Sequence, residues 1–183
     1  MQLKNSPEKY GAVTKILHWL TSITIICLLG VGLYMVRAEK GPALFQIYAL
    51  HKSFGILVLT ATFFRVLWHV YSKKPPLVGG MAAWERAAAH AGHFFLYICM
   101  LGMPLSGWAM SSAFGRTVKP FDLFALPDFV QPNPELAERL EALHGYLAYA
   151  LIGMIALHAA AALKHHFISK DSTLKRMLPF GKP

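Results

Sequence analysis

Histidine is the residue type whose positions in this sequence best indicate chemistry. The chain has nine histidines, and five of them lie inside or at the edge of long apolar runs: His18, His51, His93, His144 and His158. An imidazole in apolar surroundings is costly unless a partner satisfies its ring nitrogens. A hydrogen bond to a neighbouring helix can account for one such histidine. Five together favour a binding role.

The spacing of two of these histidines places them on one face of a helix. His144 and His158 are 14 residues apart, which in an α-helix is about 21 Å along the axis and roughly 40° short of four full turns. One helix therefore presents two imidazoles at two depths. Facing pairs of histidines at such positions suit haem iron, zinc or copper.

The elements that hold the histidines are predicted from composition. Of the 183 residues, 55% are apolar and only 15% are charged, which is atypical of a water-soluble domain. The sequence has four uncharged runs, at 16–36, 53–64, 87–115 and 142–163. Three of them exceed the length needed to cross a bilayer. The run 53–64 is short, but its flanking Lys52 and Arg65 are long enough to snorkel to the surface. We therefore predict an all-α, integral membrane four-helix bundle.

The whole chain, 1–183, is predicted to form a single transmembrane domain. The spans are expected at about 12–36, 50–71, 87–113 and 141–164, with an outer loop at 114–140. At the end of this loop Asn133 is predicted as an N-cap and Pro134 as the first helical residue, so that the helix leads directly into the fourth span.

The distribution of positive charge predicts the orientation. Twelve of the 18 Lys and Arg residues fall on the two terminal segments and the second loop, and six fall on the other side. Cytoplasmic segments of membrane proteins keep an excess of Lys and Arg, so both termini are predicted to be cytoplasmic. The net charge of +9 then needs no nucleic-acid partner.

With this orientation, the depth of each histidine in the membrane predicts the partner of some histidines but not of all. His144 lies near the outer edge of its helix, and the only other outer histidine is His51, so these two are expected to face each other. At the inner level His158 has three candidate partners, namely His18, His90 and His93. Depth alone does not choose among them.

Neighbouring residues favour haem over a bare ion. Small residues such as Gly55 and Gly145 leave room for a flat macrocycle, although close helix packing uses small residues too. The spans also lack the buried carboxylate that ion carriers usually have. A membrane zinc or copper transporter or binding protein is the alternative, and a structural membrane subunit without redox chemistry is a further class.

Several segments resemble the bacterial cytochrome b561 family: I-L-H-W-L at 16–20, L-H-K-S-F-G-I-L at 50–57, A-H-A-G-H at 89–93, L-H-G-Y-L-A-Y at 143–149 and L-H-A-A-A-A-L-K-H-H-F at 157–167. The resemblance extends from Tyr10 to Pro179. In that family four helices hold two b-type haems. The resemblance implies His18 and His158 as the inner axial ligands of haem iron, and His51 and His144 as the outer ones.

The resemblance also implies a function. It indicates a di-haem b-type cytochrome of the bacterial inner membrane that transfers electrons between a periplasmic donor and ubiquinone near the inner surface. Some members of the family resemble superoxide oxidases, so superoxide is one expected donor, and the chain would be an electron-transfer oxidoreductase. A haem-bearing membrane anchor for a separate periplasmic redox protein is another interpretation.

Further residues are expected near these sites. Lys164 and His165, followed by His166, are candidates for a quinone site, in competition with a simple solvated surface. Lys52 and Arg116, with Lys119 and Arg139, are candidates for binding outer haem propionates or attracting an anion, although such cations often only anchor helix ends. The resemblance implies that His90 and His93 are not ligands and instead bond across helices or reach an inner propionate.

Overall fold

The computed structural model describes residues 2–179, which form helices joined by loops. The elements are α1 (Ala12–Arg37), α2 (Pro42–Tyr71), α3 (Ala83–Ala113), a 3₁₀ turn (Pro120–Asp122), α4 (Pro134–Phe167) and the short α5 (Thr173–Met177). Helices α1 to α4 are each long and apolar enough to cross a membrane. The prediction of an all-α protein with four membrane-spanning helices is confirmed.

Two of the helices begin well before the apolar spans that hydropathy locates. Helix α2 starts at Pro42 and α4 at Pro134, and in both cases proline occupies the first turn, where its missing N–H is not needed. The Asn133 side chain accepts a hydrogen bond from the backbone N–H of Leu136 at 3.0 Å. The predicted N-cap of α4 is therefore confirmed.

The bundle is packed through α3 against α4, α1 against α2, and α2 against α3. Each of these four helices contributes at least one side chain to a buried apolar cluster: Ile25, Val58, Cys99, Met100 and Leu151. Many large apolar side chains, among them Leu20, Phe63 and Phe94, lie instead on the outer surface of the bundle. That arrangement is typical of a protein whose surface is covered by lipid tails.

One end of the bundle, here called the loop end, is covered by residues 114–133. The backbone N–H of Phe121 donates to the hydroxyl of Ser53 at 2.9 Å, and the Phe121 ring packs edge-on against Phe54. Phe121 and Asp122 have φ angles of 51° and 57°, in the left-handed region that non-glycine residues rarely adopt. The contacts with α2 hold the loop in this conformation.

The opposite end, here called the terminal end, gathers both ends of the described chain. Asn5 bonds twice to Ser72 at the end of α2, through its backbone N–H at 3.0 Å and its side-chain amide at 2.9 Å. The side chains of Lys15 and Trp19 on α1 donate to the carbonyls of Leu178 and Met177. Both terminal segments therefore lie at one end of the bundle, and their cytoplasmic placement stays a prediction.

Candidate functional site

The loop-end histidines His51 on α2 and His144 on α4 face each other. Their ring centres are 6.4 Å apart and the ring planes are inclined by 72°. The Ser106 hydroxyl donates to the Met103 carbonyl and lies 3.0 Å from Nδ1 of His144, so it accepts a hydrogen bond from that nitrogen. Nε2 of His144 is then left with a free lone pair, which is the state that binds a metal.

Glycines make room for this pair. A Cβ atom added at Gly107 on α3 would lie 3.0 Å from Cε1 of His144, closer than carbon atoms normally approach, and one at Gly32 would lie 3.6 Å from Cε1 of His51. Cβ atoms at Gly55 and Gly145 would meet nothing within 4 Å. Glycine at 107 is therefore needed for the position of the His144 ring, while Gly55 and Gly145 adjoin open space.

At the terminal end, His158 on α4 has two histidine neighbours. The centre of its ring lies 6.3 Å from that of His18 on α1 and 5.4 Å from that of His93 on α3. Of the three partners that the sequence left open, the structure thus brings two close to His158. His90 makes no ring contact with it in the described chain.

The distance between the ring centres in each pair can be compared with the distance expected for two imidazoles that share one metal ion. Two imidazoles that bind one ion from opposite sides have ring centres about 6.2 to 6.4 Å apart, because each nitrogen lies about 2.0 to 2.1 Å from the metal and roughly 1.1 Å from its ring centre. The pairs His18–His158 and His51–His144 fit this distance, whereas His93 is too close to His158. Each pair offers two ligands, the number a haem iron takes axially, whereas structural zinc takes four protein ligands.

An apolar layer lies between the two histidine levels. Leu151 is seven residues from both His144 and His158 along α4, so it lies halfway between them along the helix axis. It belongs to the buried apolar cluster, together with Ile25 and Val58. The side chains packed between the two levels are therefore apolar.

Arg65 on α2 is the residue of this region that sequence reasoning misplaced. Rather than snorkelling to the surface, its Nη2 lies 3.0 Å from Nδ1 of His18, inside the bundle. Its Cζ atom lies 5.5 Å from the ring centre of Tyr97 on α3. The only sequence signal for this contact is an arginine inside an apolar helix, because the direction of its side chain depends on how α1 and α3 pack beside α2.

The candidate quinone residues both contact a carboxylate. Lys164 binds Glu85 of α3, and Nδ1 of His165 lies 2.6 Å from a carboxylate oxygen of Asp171. Burial favours the neutral acid, but hydrogen bonds from Thr173 and His165 outweigh it and lower the pKa of Asp171 below its ordinary value. The carboxylate of Asp171 therefore fixes the orientation of the His165 ring.

Two of the four loop-end cations converge. Nζ of Lys52 donates to the hydroxyl of Ser111 at 3.3 Å, and that hydroxyl donates to the backbone carbonyl of Arg116 at 2.6 Å. Arg139 instead forms an exposed ion pair with Glu135, which lies one helical turn before it in α4. Within residues 2–179 neither Lys52 nor Arg116 pairs with a carboxylate, so both contribute uncompensated positive charge beside His51, whereas Arg139 does not.

A membrane-spanning four-helix bundle with two facing histidine pairs defines a class, the membrane cytochromes that hold haem between helices. The family model of prokaryotic cytochrome b561 matches residues 9–180, and the chain belongs to that family. Membership implies b-type haem and electron transfer within a membrane.

Curated relatives are similar over almost their full length. The chain is 37% identical over 179 residues to cytochrome b561 homolog 2 of Escherichia coli (strain K12), covering 97% of this chain and 95% of the relative. It is 32% identical to the "Probable superoxide oxidase CybB" of Yersinia pestis, covering 94% and 97%, and 34% identical to cytochrome b561 homolog 1 of Escherichia coli (strain K12), covering 91% and 94%.

Substituting Gly107 with alanine should disturb the loop-end histidine pair. The added methyl group would lie 3.0 Å from the His144 ring and must displace it, so we expect Gly107→Ala to lower the haem bound per chain. Gly102→Ala on the same helix is the control, because its methyl group would meet only a side-chain carbon of Leu147 at 3.6 Å. Pyridine haemochrome assays of both purified variants measure the effect. Equal haem content in the two would contradict the tight contact.

The lowered pKa of Asp171 predicts a pH-dependent contribution to stability. A carboxyl whose pKa is lower in the folded state stabilises above its unfolded pKa of about 3.9, and the effect is lost as the pH falls through the folded value. Asp171→Asn should therefore cost about 1 kcal/mol near neutral pH and nothing once both forms are protonated. Thermal unfolding in detergent from pH 7 downward tests this, with Asp122→Asn as the control. A pH-independent difference would contradict the assignment.

Proposed function

We propose that the chain is a di-haem cytochrome that carries electrons across the bacterial inner membrane. His18 and His158 would hold one haem b, and His51 and His144 would hold the other. The observation that carries this proposal is the ring separation of 6.3 and 6.4 Å in the two pairs, which suits one iron between each. The excess of positive charge on the terminal end supports a cytoplasmic placement of both termini.

The protein's own residues then set the conditions for electron transfer. Bound haem b supplies a one-electron iron couple. His18 with His158, and His51 with His144, would each hold a haem through two imidazoles, and haem held in this way would supply electron transfer rather than the binding of oxygen or a substrate. Ser106 holds His144 in the tautomer that leaves Nε2 free to bind. The layer around Leu151 excludes water between the two levels.

Superoxide is the periplasmic donor that we propose. One relative, 32% identical, bears the name superoxide oxidase, and Lys52 and Arg116 form an uncompensated positive surface beside His51 that attracts a small anion. Superoxide gives up one electron and leaves as molecular oxygen. Two such events, with two protons from the cytoplasmic side, convert one ubiquinone to ubiquinol. The chain would then be a superoxide:ubiquinone oxidoreductase.

The proposed quinone site is at the terminal end, near Lys164 and His165. The Asp171 carboxylate accepts a hydrogen bond from Nδ1 of His165, so the ring presents Nε2 in a fixed direction. Such a ring can exchange a proton with a reduced quinone headgroup at the membrane surface. Glu85 holds the neighbouring Lys164 in place.

Replacing single ligands should remove the haems one at a time. His51→Ala and His144→Ala should each lose the same haem, and His18→Ala should lose the other, because the two pairs lie at different depths. Each variant should retain about half of the haem of the parent protein. His90→Ala is the matched control and should retain all of it. Reduced-minus-oxidised spectra with haem-to-protein ratios measure this, and loss of both haems in every ligand variant would contradict two independent sites.

Charge reversal at the loop end should slow the reaction with superoxide. Arg116→Glu should lower the rate of haem reduction by about tenfold at low ionic strength, and the difference should shrink as salt screens the surface. Arg139→Glu is the control, since Arg139 is already paired with Glu135. Stopped-flow absorbance of the oxidised protein mixed with superoxide records the rate. The same rate in both variants would exclude steering by this surface.

A further inference from the structure

The guanidinium of Arg65 is enclosed among helices without a carboxylate. Its Nε atom is buried and has no hydrogen-bond partner within residues 2–179. Among the described residues its one polar contact is from Nη2 to Nδ1 of His18, and its Cζ atom lies over the ring of Tyr97. A buried charge normally requires an opposite charge and a full set of hydrogen bonds.

The surroundings of Arg65 add positive charge and a further unsatisfied group. Nζ of Lys74 lies 5.6 Å from the centre of the same Tyr97 ring, and the Tyr97 hydroxyl is buried without a partner in the described part of the chain. Neither Arg65 nor Lys74 forms an ion pair within residues 2–179, where the paired carboxylates Glu85 and Asp171 bind Lys164 and His165 instead. This group of donors therefore suits an anion that the protein does not itself provide.

The contact with His18 cannot persist when His18 binds a metal. A guanidinium only donates hydrogen bonds, so Nδ1 of His18 must be the acceptor and the ring proton must be on Nε2. A histidine that binds a metal through Nε2 carries its proton on Nδ1 and donates it, as His144 does to Ser106. Ligation by His18 therefore releases Arg65, which then needs another acceptor.

We propose that Arg65 binds a propionate of the haem held between His18 and His158, with the Tyr97 hydroxyl as a second donor; this inference rests on the proposed function. The guanidinium of Arg65, once released from His18, would find the carboxylates that it requires on the propionates of the same haem. Arginine suits this role because its planar fork can bind both oxygens of one carboxylate. Arg65 thereby positions the haem and, as a nearby positive charge, favours its reduced form.

The test uses Arg65→Gln, which removes the charge, and Arg65→Lys, which keeps the charge but loses the fork. Lys73→Gln is the control, because it removes an exposed charge from the same end of the bundle. In the purified haem-loaded protein, Arg65→Gln should lower the midpoint potential of one haem and leave the other unchanged. The propionate-bending band in the resonance Raman spectrum should shift, and Arg65→Lys should restore the potential only in part.

Other outcomes would overturn the inference in distinguishable ways. In one outcome the parent protein holds two haems, and Arg65→Gln and Arg65→Lys have the same midpoint potentials and the same propionate band as Lys73→Gln. The role proposed for Arg65 is then wrong, while the proposed function stands. If both potentials shift equally, the charge acts at long range and not on one propionate. If the parent protein holds no haem, both proposals fail together.

Discussion

The structure depends on one constraint: four imidazole rings must be satisfied inside an apolar bundle. Each is polar, and each lies where lipid and packed side chains offer few hydrogen bonds. Pairing across the bundle, with α4 contributing one ring to each pair, places the ring centres 6.3 and 6.4 Å apart, a separation that suits one metal ion. The helices do not have to supply hydrogen bonds to both rings of a pair, because a bound iron ion would satisfy the two rings at once.

Packing near the pairs follows from that constraint. Gly107 gives the His144 ring the space it occupies, and Ser106 fixes which of its nitrogens carries the proton. Between the levels the bundle returns to ordinary apolar packing around Leu151. Short residues and hydroxyls therefore occur where a ring must be positioned, and larger apolar residues fill the layer from which water must be excluded.

Much of this arrangement could be predicted from the sequence because it depends on local patterns. Apolar runs located the four helices, Asn133 and Pro134 marked the start of α4, and the spacing of His144 and His158 put them on one face. The contacts that escaped prediction join residues far apart in the chain. Nothing near Arg65 in the sequence indicates that its side chain turns inward to His18, 47 residues away. The predicted depth in the membrane likewise left His93 and His18 equivalent as partners of His158, and only the ring separations distinguish them.

The most direct test of the central claim is a reduced-minus-oxidised visible spectrum of the detergent-purified protein, combined with a haem-to-protein ratio. We expect a b-type spectrum and two haems per chain, one for each histidine pair. A protein without haem would show that neither histidine pair is a haem site. A single haem that survives replacement of either pair would show that the rings at 6.3 and 6.4 Å do not form two separate sites.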